Sequence, residues 1–142
     1  MKKTRSSSAH WEGSLKNGNG TLTTSSNALR NFAYSFAKRF EDEPGTNPEE
    51  LIAAAHAGCF SMAFSSELNK AGYTPESIDT TAAVTLEFVE GAPTVTRSEL
   101  TMTAKVPGIT ADEFQDIANG AKSGCPISRL LNADITLDAK LV

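Results

Sequence analysis

The first forty residues alternate polar and apolar positions with the period of β-strands. Residues 9–15 and 21–24 predict the two strands of a hairpin, because the turn-forming residues 16–20 lie between them. In residues 31–40, large aromatic side chains alternate with small ones, which places the two sets on opposite faces of a third strand. We therefore expect a small strand-rich region before the first helix.

A long helix is predicted from Pro48 to about Lys70. Asn47 is a suitable N-cap, Pro48 fits the first helical position, acidic residues follow in the first turn, and Gly72 can end the helix. Residues 52–64 are apolar or small on nearly every side of this helix. Such a helix must be covered all round, so a second helix or a second subunit is expected to pack on it.

The second half of the chain predicts two strands, a helical region and a last strand. Thr110 and Glu113 form a capping box, and Cys125-Pro126 interrupts the helix that follows. The predicted elements are strands over residues 80–88, 94–106 and 135–141, and helices from 110 and over 127–132. This order indicates an α+β fold, with antiparallel sheets packed around the long helix, rather than a βαβ arrangement.

Length and charge narrow the possible partners. The chain has 142 residues, the size of one domain, and a formal net charge of −4, so no basic stripe is available to bind nucleic acid. Polar residues follow the basic first five, and no uninterrupted run approaches about 18 apolar residues, so neither secretion nor a membrane span is expected. We expect a cytoplasmic protein, in which cysteine pairs are more often catalytic than structural.

The two cysteines lie in unlike surroundings. Cys59 is in the apolar part of the long helix, where burial would raise the pKa of a thiol and make it inert. If Cys59 is reactive it needs a nearby cation, and the candidates are His56, three residues earlier on the same helix face, and Arg39. Cys125 is predicted at the N-cap of a helix that begins at Pro126, where unpaired amides stabilise a thiolate. Either thiol could be the nucleophile, and the spacing of Cys and His residues does not favour a metal site.

Seven motifs give the chain a resemblance to the OsmC/Ohr family of organic hydroperoxide reductases over essentially its whole length. They are His10-Trp-Glu-Gly13, Arg39-Phe-Glu41, Gly45-Thr-Asn-Pro-Glu-Glu-Leu51, Ala54-Ala-His-Ala-Gly-Cys-Phe-Ser-Met62, Ser77-Ile-Asp-Thr-Thr81, Val106-Pro-Gly108 and Ala121-Lys-Ser-Gly-Cys-Pro-Ile-Ser128. The resemblance implies a peroxidase that needs no cofactor. Cys59 would attack an organic hydroperoxide and become a sulfenic acid, Cys125 would condense with it to a disulfide, and an external dithiol or small thiol would reduce that disulfide.

The resemblance also implies roles for charged residues. Arg39 would hold the thiolate and polarise the peroxide, and Glu49 would orient the guanidinium in a bidentate pair. His56, Glu50 and Phe60 would take supporting positions around the substrate.

The spacing of these residues suggests a second subunit. Glu49 and Cys59 are ten residues apart on one helix, or roughly 15 Å along its axis, which is too far for one arginine to serve both. The family forms an intertwined homodimer, so we expect Arg39 or Glu49, or both, to meet Cys59 across the subunit boundary.

Two other functions are compatible with the same cysteines. One is a hydrolase or acyl transferase in which Cys59 is the nucleophile and His56 its base, although no orienting acid follows and the i−3 spacing restricts proton transfer. The other is a non-enzymatic binding or structural domain with two inert thiols. Ester turnover that needs His56 would indicate the first, and thiol labelling rates that are equal at pH 7 and pH 9 would indicate the second.

Overall fold

The structure is a computed structural model that describes residues 1–142 as six strands and four helices in two compact units, Met1–Pro48 and Glu49–Val142. The elements are β1 (Ser7–Glu12), β2 (Asn19–Thr24), β3 (Phe32–Ser35), α1 (Phe36–Phe40), α2 (Pro48–Lys70), β4 (Ser77–Val89), β5 (Ala92–Lys105), α3 (Ala111–Gly124), α4 (Pro126–Leu130) and β6 (Asp134–Leu141). The α+β class is confirmed. The assignment of all 142 residues to one domain stays a prediction.

The first unit contains a three-stranded antiparallel sheet in the order β1-β2-β3. The predicted hairpin is present, but the predicted strand over residues 31–40 is wrong in its second half, where α1 forms instead. The hydroxyl of Ser35 accepts a hydrogen bond from the Lys38 amide at 3.2 Å and caps this helix. Phe36 and Phe40, four residues apart, then pack against each other with tilted rings, whose centroids are 4.9 Å apart.

The second unit contains the sheet β4-β5-β6, and the antiparallel expectation is wrong for one of its two pairs. β4 and β5 form an antiparallel hairpin, whereas β6 runs parallel to β5 and places Leu137 beside Leu100. The reason is the connection, since α3 and α4 lie between β5 and β6 and form the helical crossover that parallel neighbours require. The unit thus includes one β-α-β crossover that the order of elements did not predict.

The core of the second unit lies between α2, α3 and the sheet. Three residues of α2 at four-residue spacing, Phe60, Phe64 and Leu68, are completely buried. Phe64 meets Phe114 of α3 edge to face, with centroids 5.4 Å apart, a favourable arrangement for two aromatic rings. The predicted cap of α3 is confirmed, because the Thr110 hydroxyl accepts a hydrogen bond from the Glu113 amide.

One side of α2 stays uncovered in the single chain. Ala54, Ala55, Gly58 and Met62 are exposed, Met62 to 77%. By length and composition alone α2 could span a membrane. The buried positions at regular spacing on its other side identify it as the core helix of the second unit.

Candidate active site

The structure brings the two cysteines together. Cys59 lies on α2 and is partly exposed, while Cys125 is completely buried at the junction of α3 and α4. Both thiols are free, and their side chains are in hydrogen-bonding contact. Two neighbouring free thiols are the pair from which a disulfide can form on oxidation.

Burial is the main cause that raises the pKa of the Cys59 thiol above its ordinary value. The hydrogen bond from this thiol to the Cys125 sulfur and the negative charge that Cys125 can carry also raise that pKa. The amide of Ile127 donates a hydrogen bond to the Cys59 sulfur and lowers the pKa in part. None of these groups is a cation, and all of them belong to the second unit, so the interactions that act on Cys59 within that unit favour the protonated thiol at neutral pH.

The start of α4 is built as the sequence predicts. Cys125 is the N-cap and Pro126 occupies the first turn, where its missing N–H costs nothing. The Cys125 side chain, however, makes no capping hydrogen bond. The amide of this first turn that meets a sulfur is that of Ile127, and the sulfur belongs to Cys59. The first turn of α4 therefore donates its amide to the Cys59 thiol on α2 and not to the side chain of its own N-cap.

His56 is completely buried one turn before Cys59. Its Nδ1 is 2.7 Å from the hydroxyl of Ser98 on β5, and its Nε2 is 2.8 Å from the hydroxyl of Ser128 on α4. Burial lowers the pKa of His56, so the ring is neutral at pH 7, with one nitrogen donating and the other accepting. Because serines engage both nitrogens, the ring is not placed to act as a base for Cys59.

Sequence reasoning missed both serines, which are 42 and 72 residues from His56 along the chain. A signal existed for Ser98. It shares the buried face of β5 with Leu100, Met102 and Ala104, and a polar residue on an apolar strand face indicates a buried hydrogen-bond partner.

Three other predicted site residues, Glu49, Glu50 and Phe60, lie on α2 with Cys59. Glu49 is buried in the first turn of α2 and Glu50 beside it is exposed, with Glu49 ten residues from Cys59 on one continuous helix, or roughly 15 Å. Phe60 is completely buried next to Cys59, where it supports the core and is not accessible to a substrate.

Arg39 belongs to the first unit, on α1, with its guanidinium carbon 5.1 Å from the centroid of the Phe40 ring. It helps to line a cleft of about 310 Å³ within that unit. The other lining residues are mostly aromatic or apolar: Trp11, Leu15, Tyr34, Ser35, Phe36 and Phe40.

A helix-borne thiol beside a second thiol, inside an α+β fold, is the arrangement that a two-cysteine thiol redox protein requires. The model of the OsmC-like protein family matches residues 40–140. The chain belongs to the OsmC-like family.

Relatives with known names agree with this assignment. The chain is 54% identical to peroxiredoxin OsmC of Escherichia coli strain K12 over 133 residues, which are 94% of this chain and 93% of the relative. It is 32% identical over 98 residues to the organic hydroperoxide resistance protein OhrA of Bacillus subtilis, which covers 68% of each chain.

Solved structures share the fold. An organic hydroperoxide resistance protein from Elizabethkingia anophelis aligns over the full length of both chains with a TM-score of 0.73 and 26% identity. An OsmC-like protein from Vibrio cholerae aligns over 97% of this chain and 99% of its own, with a TM-score of 0.78 and 18% identity.

Proposed function

We propose that the protein is a thiol-dependent peroxidase that reduces organic hydroperoxides and, more weakly, hydrogen peroxide. The observation that carries the proposal is the contact between the free thiols of Cys59 and Cys125 in a chain 54% identical to a peroxiredoxin. The Cys59 thiolate attacks the distal peroxide oxygen, the O–O bond breaks, and the alkoxide leaves as an alcohol after taking a proton. Cys59 then carries a sulfenic acid.

Cys125 resolves this sulfenic acid in the second step. Its sulfur attacks the Cys59 sulfur, the S–O bond breaks, and the hydroxyl leaves as water with the proton of the Cys125 thiol. An external dithiol or small thiol returns the disulfide to two thiols by exchange, and no cofactor takes part. The reaction takes place in the cytoplasm, where such reductants are abundant.

Arg39 or Glu49, or both, complete the site from a second chain in an intertwined homodimer. Three features of the single chain support this proposal. The groups that shift the pKa of Cys59 include no cation, Glu49 lies roughly 15 Å from Cys59 on the same helix, and the exposed apolar side of α2 needs a cover. Arg39 then stabilises the thiolate and polarises the peroxide, and Glu49 orients the guanidinium.

The cleft beside Arg39 suits the organic part of a hydroperoxide. Its aromatic walls offer apolar surface to an alkyl or aryl group, while the guanidinium can bind the peroxide oxygens. This composition supports a preference for organic substrates over hydrogen peroxide.

Turnover of cumene hydroperoxide with dithiothreitol as the reductant tests the proposed chemistry. The wild type should consume peroxide and, without reductant, lose the mass of two hydrogens at Cys59 and Cys125. Cys59→Ser should abolish consumption, whereas Cys125→Ser should allow one oxidation and then depend on outside thiols. Full activity of Cys59→Ser would refute the proposal.

Mixed dimers test the shared site. A chain with Arg39→Ala and a chain with Cys59→Ser should each be inactive alone. If Arg39 acts across the subunit boundary, mixing the two unfolded chains and refolding them should restore activity, because each mixed dimer has one site with both residues intact. A mixture that stays inactive, although mass spectrometry finds the mixed dimer, would place Arg39 and Cys59 of one site on the same chain.

A further inference from the structure

The proposed mechanism makes no use of the buried imidazole of His56. This ring joins three elements of the second unit, since it lies on α2 and is bonded to Ser98 on β5 and to Ser128 on α4. A completely buried imidazole with both nitrogens hydrogen-bonded holds its two partners in fixed positions relative to each other.

The two serines hold the same ring at nearly the same distance, but they belong to unlike elements. Ser98 is completely buried in the middle of β5, a strand paired on both sides. Ser128 is in α4, a helix of five residues with no buried side chain. The strand is already fixed by its ladder, whereas α4 is held by the packing of Ile127 on the core and by the hydrogen bond from Ser128 to the ring.

The restrained element contains two groups that act on Cys59. Cys125 is the N-cap of α4, and Ile127, next to Ser128, donates its amide to the Cys59 sulfur. A shift of α4 would move the resolving sulfur and this amide together. The bond between His56 and Ser128 therefore restrains the helix that carries the resolving sulfur.

We propose that His56 is a positioning residue for disulfide formation, because it holds α4 through Ser128 with Cys125 against Cys59. The proposal rests on the proposed function for its oxidant, since the step is attack of the Cys125 sulfur on the Cys59 sulfenic acid with loss of water. Without the bond, α4 samples positions in which the sulfur atoms are apart, and the sulfenic acid survives longer.

Two matched variants separate this role from a general structural one. Ser98→Ala and Ser128→Ala each remove one hydrogen bond from the same imidazole, but only the second frees α4. In a single turnover with cumene hydroperoxide, disulfide formation in Ser128→Ala should be roughly fivefold slower than in Ser98→Ala, the factor that the loss of one hydrogen bond gives. A dimedone adduct on Cys59 should accumulate accordingly. Ser128→Thr, which keeps the hydroxyl at a partly exposed position, should restore the rate.

The outcomes distinguish the two proposals. Equal rates in the two alanine variants, or a slower rate in Ser98→Ala, would overturn the positioning role, as would a slow Ser128→Thr. If the wild type forms no sulfenic acid at all, the peroxidase proposal fails. The same variants are then treated with oxidised glutathione, and their rates of disulfide formation between Cys59 and Cys125 are compared. There Cys125 displaces glutathione from a mixed disulfide at Cys59, and the same fivefold difference between Ser128→Ala and Ser98→Ala is expected.

Discussion

Replacement of His56 by leucine should destabilise the protein strongly at neutral pH. The leucine fills much of the space of the imidazole but leaves the completely buried Ser98 hydroxyl without a partner, which costs about 1–3 kcal/mol. The partly exposed Ser128 can turn to water, so the loss of its bond costs about 1 kcal/mol. We expect the free energy of unfolding to fall by about 3 kcal/mol.

The size of this effect should depend on pH. The pKa of His56 is lowered from its ordinary value of 6.5, so the unfolded chain takes up the proton first as the pH falls. The stability from the neutral ring is fully present above pH 6.5 and is lost as the pH falls toward the folded-state pKa. Between pH 7 and pH 5, the free energy of unfolding of the wild type should therefore fall toward that of His56→Leu, by at most about 1.4 kcal/mol per pH unit.

Urea unfolding at one protein concentration, with the thiols reduced, measures both effects at pH 7, 6 and 5. The pKa values of the Glu43 and Glu113 carboxylates are also lowered, but these groups change the stability only near and below their ordinary pKa of 4.5. Both proteins contain them, so they do not affect the comparison. The double variant Ser98→Ala/His56→Leu should recover about 1 kcal/mol or more, because it has no orphaned hydroxyl. Parallel pH profiles for wild type and His56→Leu would show that the ring is not the neutral buried group described here.

Two further predictions concern the thiol pair and the core. Cys125→Ala should lower the pKa of Cys59, because Cys125 raises that pKa in the wild type. Iodoacetamide should therefore alkylate Cys59 faster at pH 8 in the variant than in the wild type. An unchanged or slower rate would contradict this. Phe64→Ala should lower the free energy of unfolding in urea by about 3–5 kcal/mol, because the ring is completely buried between Phe60 and Phe114. The control Phe88→Ala, at a residue 70% exposed, should lower it by less than about 0.5 kcal/mol. Similar losses in both variants would contradict the assignment of the core.

The sequence predicts those features whose physical cause is local. The cap at Thr110 depends on a serine or threonine followed by a glutamate three residues later, and Pro126 marks a helix start by its fixed backbone angle. Local patterns fail where they fit two structures. Phe36 and Phe40 would share a face in a strand, where side chains repeat every two residues, and also in a helix, where residues four apart are neighbours. The N-cap at Ser35 favours the helix.

Pairing between distant segments has no such local cause. The parallel neighbour of β5 depends on where α3 and α4 return the chain, and the partners of His56 depend on the packing of β5 and α4 around α2. The resemblance to a family predicts Cys59 and Cys125 in one site. The interactions that raise or lower the pKa of Cys59 are seen only in the structure. The Ile127 amide reaches Cys59 across the fold, which no spacing in the sequence indicates.

The raised pKa of Cys59 gives a physical reason for a shared active site. An ordinary thiol, with a pKa of about 8.5, is only about 3% ionised at pH 7, and Cys59 in the single chain is ionised less than that. A guanidinium about 4 Å away is worth about 4 kcal/mol in a medium of effective dielectric constant about 20, or about three pKa units. An arginine at this distance therefore strongly favours the reactive thiolate over the inert thiol. In the proposed homodimer, that cation arrives only with assembly, so unassembled chains keep Cys59 protonated and resistant to oxidation.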